Sequence, residues 1–270
     1  MPHTACTSFL RWALPQLGKR WTGFRPVQQQ VCRCLTARLI ALGLRSFDAY
    51  RDYLQEHPDE WDFVDACCRI TISRFYRDAP VFDQLQDHEL PRLIAHAGGT
   101  LHCWSAGAAS GEEAYTLAIL WHEVLLPRQQ DHRVRILATD AQAHMLKRAT
   151  TAVYAGGTLK ELPEPLVRLA FDRAAGPEGT VYSLKPRYRA PVHFKRHDVR
   201  TPPPMEPFHL ICCRYVLMYF DADVRRRCLG YLTDRLLPGG VLVLGKRDPE
   251  PPDDVPLQPI DRALRLYRRV

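Results

Sequence analysis

Apolar positions recur through the first seventy residues at the spacing of helices. Val31, Leu35, Leu39 and Leu42 share one helical face, and Gly43 follows as a stop. Ser46 can cap a second helix with Phe47, Tyr50 and Leu54 on one side. Pro58 suits the first turn of a third, carrying Trp61, Val64 and Cys68. Past Gly98-Gly99 the pattern changes. Leu101–Trp104, Val134–Ala138, Phe208–Cys212 and Val241–Leu244 are short, almost wholly apolar runs, as strands buried on both faces require. Helical stretches separate them, at Glu112 to about Leu125, Gln142 to Val153, and about 222–236. Such alternation implies an α/β fold, a parallel sheet with helices on both faces. Between 171 and 197 the alternation breaks. Gly176-Pro177-Glu178-Gly179 marks a turn between strand-like Thr180–Tyr182 and Val192–Phe194, which predicts a small antiparallel β insert. Pro202–Pro204 and Pro249–Pro259 read as loops.

Composition narrows the class. The chain has 270 residues, 46% apolar and 25% charged, which excludes disordered and fibrous proteins. No apolar run approaches the roughly 18 residues of a membrane span. The longest, Thr116 to Leu126, is broken by His122 and Glu123. Without a signal pattern in the first twenty residues, the expectation is a soluble cytoplasmic protein. The net charge of +7 is confined to one end: residues 1–47 hold seven of the 37 basic side chains and no acid, and the remainder is neutral. That segment either attracts an acidic partner or is a solvated helix face. The nine cysteines include two vicinal pairs, Cys67-Cys68 and Cys212-Cys213, and a close pair, Cys32 and Cys34, remote from any histidine. They predict buried thiols in a reducing compartment, with no structural disulfide and no metal.

Four stretches carry chemistry. Trp104-Ser105-Ala106-Gly107-Ala108-Ala109-Ser110-Gly111-Glu112-Glu113 joins a strand to a helix through very small residues, so backbone can approach a ligand closely. The two carboxylates would repel a pyrophosphate, and no Gly-Lys-Ser/Thr ending follows, which excludes a P-loop. They suit a ligand bearing positive charge and hydroxyls; close helix–sheet packing would use the same small residues. Asp140 follows the second strand at the carboxyl edge, where it can accept from ribose hydroxyls or cap the next helix. Thr71-Ile72-Ser73-Arg74-Phe75-Tyr76-Arg77-Asp78 joins the helical unit to the sheet, and Cys213-Arg214-Tyr215-Val216-Leu217-Met218-Tyr219-Phe220 starts where the fourth strand ends. Arg and Tyr there can hold a carboxylate substrate, or Arg214 can pair with Asp78 or Asp221.

Together, over about residues 25–250, these stretches resemble the CheR-type chemotaxis receptor methyltransferases, S-adenosylmethionine-dependent protein-glutamate O-methyltransferases. The resemblance implies a Rossmann-like methyltransferase sheet over 81–270, a helical N-terminal domain with linker helix over 1–80, and a small β-subdomain at 171–197. It further implies S-adenosyl-L-methionine as cofactor and S-adenosyl-L-homocysteine as product. Thr71, Ser73 and Arg77 would approach the cofactor from the linker, Ala106 from the small-residue loop, and Glu112 at its amino group. Asp140 would take the ribose, Asp198 with Val199 the adenine, and Arg214 and Tyr215 would complete the cofactor site. Arg77, Arg214 and Tyr219 would line the methyl-transfer site. The implied partner is an acidic helical receptor or signalling protein, met by a monomer, with no nucleic acid and no membrane insertion.

Elementary chemistry agrees. A glutamate carboxylate, with a reference pKa of ~4.3, is already a nucleophile at neutral pH, so no general base is needed. Alignment in a closed site would supply the catalysis. Four departures from the family pattern stand out: Tyr215, Thr71 and Asp198 each stand where Asn is usual, and Lys246-Arg247-Asp248 replaces a Ser-Glu-Asn type of ending. They admit two alternatives, a carboxylate on another peptide or small metabolite, or a non-catalytic cofactor-binding regulator.

Overall fold

The computed structural model describes residues 3–126, 132–177, 179–203 and 206–270; Glu178 and Pro204, assigned above to a turn and a loop, lie outside them. The chain divides into two compact units, residues 1–70 with 218–226, and residues 71–217 with 227–270.

The first unit is helical: His3–Gln16, Trp21–Phe24, Gln28–Ala41, Phe47–Glu56 and Glu60–Cys67. Val31, Leu35 and Leu39 are fully buried as their spacing requires, against Phe9, Leu10, Leu14, Tyr50 and Leu54. Gly43 ends its helix at φ +70°, and the Ser46 hydroxyl accepts the Ala49 N–H at 3.1 Å, a capping bond. Two disulfides, Cys6–Cys32 and Cys34–Cys67, overturn the expectation of free thiols. Cys32 and Cys34 are too close to bond one another and project to different neighbouring helices, so each meets a partner remote in sequence. Buried ion pairs absorb part of the basic excess. Glu60 takes both ends of the Arg38 guanidinium, at 2.8 and 2.6 Å, and the Tyr50 hydroxyl at 2.6 Å, while Lys19 pairs with Asp65.

The second unit holds strands β1 (Thr100–Ala106), β2 (Arg133–Asp140), β3 (Val153–Ala155), β4 (Phe171–Gly176), β5 (Gly179–Leu184), β6 (Val192–Arg196), β7 (Phe208–Cys213), β8 (Leu236–Leu244), β9 (Leu257–Asp261) and β10 (Leu266–Arg269). Seven form one sheet in the order β6-β2-β1-β7-β8-β10-β9. Its first five strands run parallel and β10 runs antiparallel to both neighbours. From β1 the chain crosses outward to β2 and β6, then returns to β7 on the other side of β1. The carboxyl ends of β1 and β7 therefore flank a topological switch point.

Four expectations need correction. Val192–Phe194 is no part of the insert; it is the edge strand β6, pairing in parallel with Ile136–Ala138. The antiparallel insert is β3-β5-β4, and its first strand takes Val153 from the expected helix, which stops at Thr151 because Ala152 turns left-handed (φ +53°). Pro259 lies in β9, an edge strand, where a missing N–H costs least. The linker is not a helix: residues 68–78 are irregular, and Tyr76 (φ +56°) and Asp78 (φ +61°) adopt a conformation no α-helix can include. The Phe75 and Tyr76 N–H groups instead donate to the Thr158 carbonyl at 2.9 Å and the Thr116 hydroxyl at 3.1 Å.

Candidate functional site

The site residues of the second unit gather at the carboxyl edge of its sheet. After β1, the chain bends through Gly107 (φ +81°), Ala109 (φ +48°) and Gly111 (φ +90°) before entering the helix Glu112–Leu120. The Gly107 and Ala108 N–H groups both donate to the Thr139 carbonyl at 2.8 Å. A Cβ on Gly107 would lie 2.5 Å from Val216 Cγ2, so both the turn and the close approach demand glycine. Ala106 is buried at the end of β1. Asp140 binds the loop itself: Oδ2 accepts from Ala109 N–H and Oδ1 from Gln142 N–H, each at 2.9 Å. The helix-capping reading of Asp140 is therefore partly met, since the Gln142 N–H opens the helix Ala143–Thr151.

Glu112 is almost completely buried. Its Oε1 accepts the Ser110 hydroxyl at 2.7 Å, while Oε2 makes no well-formed hydrogen bond. Burial pushes this carboxyl above its ordinary pKa, opposed by the hydroxyls of Ser110 and Ser73. Ser73 on the linker and Glu112 on the helix are thus brought together. An under-satisfied buried carboxylate is what an ammonium group would complete.

The second cluster centres on Arg214, whose side chain is 4% exposed. Nη2 donates to Asp78 Oδ2 and to the Arg77 carbonyl, both at 2.6 Å, and Nη1 faces Glu113 Oε2 at 3.3 Å. Burial works against this charge, and Glu113 and Asp78 more than offset it, so the guanidinium pKa is raised. Glu113 is fixed in turn by the Ser105 hydroxyl at 2.7 Å. Of the two partners considered for Arg214, the acid it meets is Asp78. Asp221 instead accepts the Val224 N–H at 2.9 Å. Arg77 lies with Cζ 3.6 Å from the centre of the Tyr215 ring, and its Nη1 donates to the Ile72 carbonyl at 2.7 Å. Among the described residues its Nε and Nη2 make no hydrogen bond, which leaves one edge of a half-exposed guanidinium open.

Asp198 and the buried Val199 follow β6, and the Asp198 carboxylate is held by the Arg200 guanidinium at 3.0 and 2.7 Å. Thr71 is half-buried at the start of the linker. Tyr219 belongs to the first unit, where its ring packs 4.9 Å from Phe24 and its carbonyl accepts the Arg20 N–H. Sequence reasoning passed over Glu113 and Arg200 as functional neighbours and saw Asp248 only as a departure. Asp248, buried, accepts the N–H groups of Gly245 at 2.7 Å and Tyr215 at 2.6 Å. Its position four residues past β8, at the same sheet edge, was the available signal.

Comparison with known proteins identifies the fold's family. Residues 71–255, more than half of the chain, match the CheR methyltransferase, SAM binding domain. A chemotaxis protein methyltransferase of Listeria innocua is 38% identical over 237 residues, covering 88% of this chain and 87% of that protein. The chemotaxis protein methyltransferase of Escherichia coli K12 is 28% identical, over 78% of this chain and 73% of its own. A solved structure, the N-methyltransferase NodS of Bradyrhizobium japonicum with S-adenosyl-L-homocysteine, aligns over 61% of each chain at 19% identity and a TM-score of 0.35, too distant to add to this. The chain belongs to the CheR methyltransferase family and is an S-adenosylmethionine-dependent methyltransferase.

Proposed function

We propose that this chain transfers a methyl group to glutamate side-chain carboxylates of a chemoreceptor, or of a related signalling protein with an acidic helical surface. The reading is supported by the relatives' names and carried by one observation, the open edge of Arg77 beside a buried cluster whose other charges are already matched. S-adenosylmethionine, when bound, supplies an electrophilic methyl on a sulfonium. The residues present suit it: Glu112 offers a buried, under-satisfied oxygen to the ammonium, and Asp140 sits at the carboxyl edge where a ribose is held. The Gly107 turn after Ala106 lets backbone approach closely, Ser73 reaches Glu112, and Thr71 from the linker and Val199 beside Asp198 are assigned to the cofactor, the last two at the adenine.

Each charged residue then has a defined task. Arg77 presents its free edge to the acceptor carboxylate. Arg214, held through Nη1 and Nη2 by Asp78, Glu113 and the Arg77 carbonyl, fixes the cluster instead of binding the acceptor itself. A carboxylate attacking a sulfonium loses charge, so the site gains by aligning and drying the reactants, and no base is required. Recognition belongs to the helical unit of residues 1–70, and chemistry to the sheet unit that starts at residue 71. The protein acts as a monomer in the cytoplasm, where no nucleic acid or membrane insertion is involved.

Methyl-labelled S-adenosylmethionine incubated with the protein and a lysate of its native host tests this. Label on a protein band, released as methanol by mild alkali, is the expected result. Label in small molecules would replace the receptor with a metabolite, and no transfer despite binding of S-adenosyl-L-homocysteine would leave a regulator.

A further inference from the structure

We propose that Tyr215 is a positioning residue for methyl transfer, holding the Arg77 guanidinium flat against its ring and locking Asp78 onto Arg214. This rests on the reading above, in which Arg77 meets the acceptor carboxylate.

Backbone geometry comes first. Tyr215 sits at φ +60°, a conformation that a residue with a Cβ enters only when its surroundings force it. They do so from two directions. The buried Asp248 carboxylate binds the Tyr215 N–H, and Gly245 packs so closely that a Cβ there would lie 2.5 Å from the Tyr215 nitrogen. Two more left-handed residues, Tyr76 and Asp78, bracket Arg77. Of six such non-glycine residues among the described ones, three therefore surround this one arginine, and strain gathered in this way belongs to a site that needs fixed directions.

The side chain explains what the direction achieves. The Tyr215 hydroxyl donates to Asp78 Oδ2 at 2.5 Å, the same oxygen that receives Arg214 Nη2 at 2.6 Å. Burial and Asp78 push the phenol pKa up, so the hydroxyl remains a donor. Ring and guanidinium stack at 3.6 Å, a cation–π contact that orients a side chain otherwise tethered only through Nη1. A flexible arginine so held loses less entropy on meeting a carboxylate, because its fork is already aimed. Tyr215 thus acts through Arg77, and the sequence expectation that it contacts the cofactor becomes the rival outcome.

The test uses the full chain, methyl-labelled S-adenosylmethionine and a soluble cytoplasmic fragment of a bacterial chemoreceptor with Glu at its methylation positions. Tyr215→Phe keeps the ring but removes the hydroxyl bond to Asp78, so acceptor KM should rise about threefold, less than when the ring itself is removed. Tyr215→Leu should raise acceptor KM about tenfold while S-adenosyl-L-homocysteine affinity, read by calorimetry, stays within about twofold. The same Leu change added to Arg77→Lys should cost little more, since the stack is already broken. A tenfold weaker cofactor product with unchanged acceptor KM would make Tyr215 a cofactor contact and overturn the proposal. An NMR reading needs no turnover and covers a Leu variant that fails to fold. The Arg77 Hε signal, assigned by its loss in Arg77→Lys, should be shifted upfield by the Tyr215 ring current; an unshifted signal in wild type removes the stack and the proposal with it. A wild-type protein with the shifted signal that leaves the fragment unmethylated would instead refute the functional reading, and the positioning role falls with that reading.

Discussion

Asp140 carries two loads in the proposed site, because the carboxylate assigned to the ribose also holds the Ala109 and Gln142 N–H groups. Asp140→Ala should therefore weaken S-adenosyl-L-homocysteine binding by about ten- to a hundredfold and lower unfolding stability by ~1–3 kcal/mol, read by calorimetry and urea titration. Unchanged affinity in a folded variant would remove Asp140 from the site. Glu112 makes a pH prediction. Its native pKa is raised by burial, so the folded protein binds a proton more tightly than the unfolded chain does. Its contribution to stability is present below the ordinary carboxylate range and is lost as pH rises through the raised native value. Glu112→Gln should flatten that loss in ligand-free protein across a pH series of urea unfolding curves. Binding of S-adenosyl-L-homocysteine, whose ammonium favours the charged carboxylate, should release a proton in wild type but not in the variant, which calorimetry in buffers of different ionisation enthalpy detects. Asp140 was legible in the sequence because it ends a strand; the orphaned oxygen of Glu112 was not, since satisfaction of a lone pair is a property of packing.

At the scale of elements, the helix Gln28–Ala41 is the spine of the first unit: through Cys32 and Cys34 it is tied to the helices His3–Gln16 and Glu60–Cys67. The closures span 26 and 33 residues, which in the chain-entropy account stabilise by roughly 3–4 kcal/mol each. A unit this small gains from such staples, because its core alone buries limited apolar surface. The remaining five cysteines are buried, and burial pushes the Cys68 thiol up to about 11 and that of Cys103 up to about 12, so they are unreactive while folded. Mass spectrometry of protein denatured with an alkylating agent but no reductant should find five modified cysteines, rising to nine after reduction, and reduction should lower the melting temperature. Nine modified cysteines without reductant would mean that neither bond forms in solution. β6 shows another limit of local reading: Val192–Phe194 has the same short β pattern as the insert, and only its parallel register on β2 assigns it to the main sheet.

For the whole molecule, the position of charge and the position of the core have to be read together. Removing residues 1–47 would take away the basic segment, but also Phe9, Leu14, Val31 and Leu35, leaving Tyr50 and Leu54 without their packing partners. Charge reversal is the cleaner test. Lys19 and Arg38 are spent on Asp65 and Glu60, whereas Arg25, Arg33 and Arg45 are exposed. Replacing those three by Glu should leave S-adenosyl-L-homocysteine binding unchanged, raise acceptor KM several-fold at low salt, and flatten its salt dependence in a methyl-transfer assay. Equal KM across the salt series would make the exposed charge incidental.

The amino-acid sequence by itself determined the alternation of elements, the sheet's apolar strands, the small-residue turn after β1 and the acid ending β2. These depend on periodicity and on backbone freedom, which neighbouring residues decide. Tertiary structure alone decided which cysteines bond, that residues 192–196 join the main sheet, and that Arg214 is matched by Asp78 and Glu113 while Arg77 keeps an open edge. Those outcomes turn on residues up to 137 positions apart meeting in a low-dielectric interior, where each charge must find its partner and no local pattern records which one it will be.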